Sequence, residues 1–70
     1  MSEQSFLLTM QVTSSHPARE IEAYRYGNVT EVSNDGETIV WRVNGYYSAE
    51  TQRERLLSGW IGAMIEEVAN

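Results

Sequence analysis

One histidine, ten carboxylate side chains and no cysteine are the reactive groups of this 70-residue chain. Catalysis needs a nucleophile, base or metal with a second group inside hydrogen-bond reach. His16 stands beside Ser14 and Ser15 and before Pro17. Adjacency in sequence does not make a dyad, because a dyad is defined by its three-dimensional geometry. His16 therefore reads as a loop histidine. Disulfides and thiolate ligands are excluded outright. The carboxylates offer little to a metal. Glu66 and Glu67, read on a helix, diverge by about 100°. Glu50 and Glu54 share a helix face, with Arg53 and Arg55 close enough to neutralise them. Asn34-Asp35-Gly36-Glu37 outlines the start of a calcium loop but lacks its spaced ligands and closing glutamate. Gly59-Trp60-Ile61-Gly62 carries no phosphate-loop logic, and Asn28-Val29-Thr30 is a formal glycosylation acceptor without a secretory signal. The expectation is a non-enzyme with no catalytic, cofactor or metal site.

Ten acids face five bases, all arginine, for a net charge of −5. So few cations cannot release many counterions from phosphates, which disfavours direct binding to nucleic acid or an anionic membrane. Tyr24, Tyr26, Tyr46 and Tyr47 could form a stacking platform, but Arg25 and Arg42 beside it are opposed by Glu20, Glu22, Glu31 and Glu37. Tyrosines of this kind serve better as anchors in a protein interface. An acidic domain is suited to the basic surface of another protein. Met1-Ser2-Glu3-Gln4 lacks the positive start of a signal peptide, and no apolar run approaches the ~20 residues of a spanning helix. Together with the missing cysteines this predicts a complete cytoplasmic product.

The elements that must position these groups follow from periodicity. Seventy residues make one small domain with a thin core, residues 1–4 fraying. Ser5–Thr13 alternates, with Phe6, Leu8, Met10 and Val12 on one face, as a half-buried strand does. Pro17 stops its ladder. Residues 17–26 read as a second strand on the β-propensity of Ile21, Tyr24 and Tyr26, with Gly27 as a bulge. The alternative is a short helix capped by Ser15 or His16. Residues 29–32 and 37–44 form a hairpin around Asn34-Asp35-Gly36, with Ile39, Trp41 and Val43 on one face. Val29 and Val32 have opposite parity, so one needs a bulge or faces out.

From a Ser48 cap to about Ala69, Leu57, Trp60, Ile61, Met64, Ile65 and Val68 recur at three- and four-residue spacing, as on one helix face. Ser58, Gly59, Gly62 and Ala63 then form a smooth opposite strip suited to self-association. The predicted fold is α+β: a three-stranded antiparallel meander packed by one long C-terminal helix (βββα). The alternative is βαββα with the short helix at 17–26.

By elimination, the function expected is that of a binding protein occupying the surface of a larger protein or complex. Phage and mobile elements use compact acidic domains of this kind to inhibit nucleic-acid-handling host or defence complexes, some of them by nucleic-acid mimicry. The candidate contacts are Glu31, Asp35, Glu37, Glu50, Glu54, Tyr46 and Tyr47. The competing expectation is a homodimer or other homo-oligomeric subunit joined through the Gly59/Gly62 strip.

Overall fold

The computed structural model describes residues 4–27 and 29–68. Six elements follow in order: β1 (Ser5–Gln11), α1 (Ala18–Ala23), β2 (Val29–Asn34), β3 (Thr38–Asn44), α2 (Tyr46–Ser58) and β4 (Met64–Glu67). The strands make one antiparallel sheet ordered β2-β3-β1-β4. The α+β class holds, but the three-stranded meander with one long helix is replaced by βαββαβ. Each helix links two parallel strands with a third strand inserted between them, the split βαβ arrangement.

Alternation dictates the centre of the sheet. Phe6, Leu8 and Met10 of β1 lie directly opposite Val43, Trp41 and Ile39 of β3. All six side chains are buried, on the face that the helices cover. α2 packs across β1, β3 and β4 and buries Ala49, Gln52 and Leu56, while α1 contributes Ile21. The parity conflict in β2 is resolved by a bulge. Glu31 pairs with Trp41 and Ser33 with Val40, which leaves Val32 as the extra, exposed residue. The hairpin turn is closed by side chains. Asn34 Oδ1 accepts the Gly36 amide at 3.1 Å, and Asp35 Oδ1 accepts the Glu37 and Thr38 amides at 2.9 and 2.8 Å.

Two expectations are corrected. Residues 18–23 are helical rather than extended: the Pro17 carbonyl accepts the Glu20 and Ile21 amides, and one turn suffices to bury Ile21. Neither Ser15 nor His16 caps it; Pro17 occupies the N-cap. Gly27, at φ 71°, lies in the connection to β2 and is not a strand bulge. The second correction is larger. α2 begins two residues before Ser48, with Gly45 at its N-cap, and stops at Ser58. The Ile61 amide returns to the Leu56 carbonyl at 2.9 Å and the Trp60 amide to the Leu57 carbonyl at 2.9 Å. With Trp60 at φ 65°, these bonds form a Schellman cap, and buried Leu56 and Ile61 are placed to supply its apolar contact. The chain then runs back as β4 beside β1, so the expected helical stripe does not exist. Of its members only Ile61 is fully buried, and Leu57, Trp60 and Met64 face solvent. The Gln4 carbonyl accepts the Gly45 amide at 2.7 Å. Residues 1–3, Asn28 with its glycosylation motif, and the expected helix end at 69–70 lie outside the described residues.

The stretch after α1 has no ladder, so its peptide groups need other partners. Gln52 provides them. Its Nε2 donates to the Tyr24 carbonyl at 2.9 Å and its Oε1 accepts the Tyr26 amide at 3.1 Å. Gln52→Leu keeps the volume but strands both groups, so unfolding free energy falls by about 1–3 kcal/mol. Trp60→Gly has the opposite sign. It relieves a left-handed residue that costs roughly 1–2 kcal/mol and sacrifices no core contact, so stability rises by about 1 kcal/mol. Urea midpoints of the two variants, moving in opposite directions, check both.

Candidate functional site

The structure divides the expected contact residues into two groups. Glu31, Asp35 and Glu37 belong to the β2–β3 hairpin, whose turn precedes Thr38. Tyr46, Tyr47, Glu50 and Glu54 lie on α2, which starts after the other end of β3. Six strand steps of about 3.3 Å separate those ends, roughly 20 Å. Asp35 and Glu37 are therefore well removed from the α2 group, whereas Glu31, opposite Trp41, lies midway along β3.

Within the hairpin, Asp35 is committed to its own turn. The amides of Glu37 and Thr38 hold its carboxyl below the ordinary range, the Glu37 bond being the larger cause. On α2, Tyr46 Oη donates to Glu50 Oε1 at 2.8 Å, and this bond raises the phenol above its usual range. The Tyr46 ring also packs edge-on against Phe6, centroids 5.5 Å apart. Glu50 has a second neighbour in Arg53 Nη1 at 3.8 Å. Arg53 Nε is turned to the Ala63 carbonyl, 3.2 Å away, and Arg55 sits 4.6 Å above the Tyr26 ring. Of the two arginines expected to neutralise Glu50 and Glu54, Arg53 is near Glu50 and Arg55 is engaged with an aromatic ring. Glu54 has no ion-pair partner among the described residues.

What remains is a ridge. Ala49, Gln52 and Leu56 define the buried side of α2, so Tyr47, Glu50, Glu54 and Leu57 fall on or near its outward line. Tyr47 is 85% exposed and Leu57 43%. Seven residues at about 1.5 Å each place Tyr47 roughly 10 Å from Glu54. The ridge is a row of two apolar anchors with carboxylates between them. Leu57, which periodicity had assigned to the core, belongs to it. Its exposure was hidden by counting beyond the true end of the helix.

The tyrosine platform does not form. Tyr24 lies against Gly59, Tyr26 under Arg55 and Tyr46 against Phe6, leaving Tyr47 free. The small-residue strip is also undone, since Ser58 ends α2, Gly59 is its C-cap, and Gly62 and Ala63 precede β4. Gly59 has a different reason to be small: a Cβ there would overlap the Tyr24 hydroxyl and ring.

An open groove of about 440 Å³ lies between Thr9, Gln11 and Thr13 of the β1 side, His16, and the Trp60–Met64 connection. His16 Nδ1 is 3.5 Å from Glu20 Oε1 and has no hydrogen-bond partner; the nearby Thr13 hydroxyl accepts the His16 amide instead. Among the described residues no serine or threonine hydroxyl donates to a His, Asp or Glu side chain. None of their His, Asp and Glu side chains gather in threes as a metal would require. No described helix is long and apolar enough to cross a membrane. Comparison with protein-family models, characterised proteins and solved structures finds no match for this chain.

The Asp35 turn has a defined acid signature. A carboxyl with a lowered folded pKa contributes stability above its unfolded value of about 4 and loses it as pH falls through the lower folded value. Asp35→Asn keeps an acceptor oxygen but removes the charge. The thermal midpoints of wild type and variant are therefore expected to differ at neutral pH and to converge below about pH 4.

Proposed function

We propose that this chain is a small acidic binding domain that lays the α2 ridge on the basic surface of a larger protein. The observation that carries the reading is the pairing of Tyr47, 85% exposed, with Glu54, whose charge no cation in the described chain balances. A rigid aromatic on the same helix as an uncompensated carboxylate is the composition of an interface anchor with its steering charge. The net charge of −5 gives the partner its sign. In its finer form the partner is a nucleic-acid-handling complex of the kind mobile elements inhibit, with Glu50 and Glu54 standing in for phosphates. The hairpin carboxylates are secondary: Asp35 serves its turn, and Glu31 and Glu37 belong to the hairpin and not to α2.

The experiment is an affinity capture from nuclease-treated native extract, run in parallel with wild type, Tyr47→Ala and Glu50→Gln/Glu54→Gln. A stoichiometric partner is expected from wild type, held at least about tenfold less tightly by each variant and released by added salt. Release by DNA or RNA supports the mimic. Capture unaffected by salt and by both variants overturns the reading.

A further inference from the structure

Both helices cover the Phe6, Leu8 and Trp41 side of the sheet, which leaves its other face bare. On that face the register lines up two rows across β3, β1 and β4. One row reads Arg42, Leu7, Glu66 and the other Val40, Thr9, Met64. Leu7, Thr9 and Val40 shield one another to half-burial, while Arg42, Glu66 and Met64 are exposed, Met64 to 69%. Arg42 and Glu66 are the charged residues of this face, and neither has an ion-pair partner among the described residues.

These rows are complementary to themselves. A half-turn about a line along β1, lying in the plane of contact, exchanges the positions of β3 and β4 in a second copy. Arg42 then faces Glu66 of the second copy, Val40 faces Met64, and Leu7 and Thr9 face their own counterparts. Cation meets anion, apolar meets apolar, and the same patch serves both sides, as an isologous contact requires. We infer that this chain self-associates as a two-fold dimer through the bare face of its sheet. Aligned sheets pack about 10 Å apart at about 30°, an offset that arginine and glutamate side chains span. Among the described residues the face carries one charge of each sign in a chain of net charge −5, so two copies meet without setting their acidic surfaces against each other. A foreign partner would match the face without needing this internal symmetry; a second copy needs it. The contact spans three strands about 4.8 Å apart, so it lies at the small end of specific interfaces and dissociates on dilution. The α2 ridge is on the opposite layer and stays open.

The test is sedimentation velocity at low salt over about a hundredfold concentration range, spanning the onset of a weak dimer. Wild type is expected to move from monomer towards dimer. Arg42→Glu sets two carboxylates face to face and Glu66→Arg two guanidinium groups, so each alone weakens dimerisation at least about tenfold. An equal mixture of the two variants restores the dimer, because their opposing charges are complementary. Near-ultraviolet dichroism of buried Trp41 reports whether each variant is folded. Should either unfold, Thr9→Arg, which opposes itself on the axis, must produce the same loss. A wild type that stays monomeric throughout, a dimer indifferent to Arg42→Glu, or a mixture that fails to recover overturns the inference.

Discussion

The return of the Ile61 amide to the Leu56 carbonyl decides the topology. A helix that continued past Ser58 would carry the last residues away from the sheet, and β1 would be left as an edge. The cap turns them back as β4, with Ile65 opposite Leu8 and the Val68 amide on the Ser5 carbonyl. The same corner receives α1, because the Tyr24 ring fits only against a residue without a side chain, and Gly59 is that residue. About two turns above, Gln52 holds the peptide groups on either side of Arg25. A six-residue helix with a single buried side chain would be marginal alone. It is kept in place by contacts from the end of the other helix. Trp60 occupies the left-handed position at this corner, and nothing within the fold rewards its indole.

β1, β3 and the hairpin were legible because Phe6, Leu8 and Met10, and Ile39, Trp41 and Val43, recur at every second position and the turn carries side-chain acceptors at the right places. The C-terminal third was misread for a specific reason. Residues 57, 60, 61, 64, 65 and 68 satisfy a helical spacing, and that pattern outweighed two glycines whose ordinary meaning is a stop. Ser58, Gly59, Gly62 and Ala63 also fit the spacing of a smooth interface strip, and that pattern competes with the stop. The true buried side of α2 is Ala49, Gln52 and Leu56, a stripe too small and too polar to stand out. α1 was obscured by tyrosines that favour strands and that lie just beyond it. Tyr24 closes the helix with αR backbone, and the Tyr26 amide pairs with the Gln52 side chain and not with a strand. Of the candidate contacts, Tyr46, Tyr47, Glu50 and Glu54 share α2 while Glu31, Asp35 and Glu37 share the hairpin, a division visible only once the place of β3 is known.

The two-layer arrangement gives the molecule two unlike surfaces. The helix side shows carboxylates with aromatic and aliphatic side chains between them, and its arginines are drawn aside to Tyr26 and the Ala63 carbonyl. The sheet side shows short hydroxyl and aliphatic side chains with one charge of each sign. A basic partner is attracted to the first, and the second has no net field to attract anything. Binding on one layer need not disturb the other, because the core between them is filled by Trp41, Leu8 and Met10.

The extra residue at Val32 bears on how far such a chain can polymerise. β2 and β4 end the sheet with unpaired peptide groups, the template on which strands of other molecules add to build fibres. At one margin the kink at Val32 breaks the regular spacing of those groups, with Glu31 beside it. At the other, β4 offers four residues, two of them Glu66 and Glu67. Lateral growth, which would have no natural end, is thereby blunted on both sides. Contact across the flat of the sheet is used up once a second molecule has covered it. The shape of the margins thus favours assemblies that stop at a fixed number over those that lengthen indefinitely.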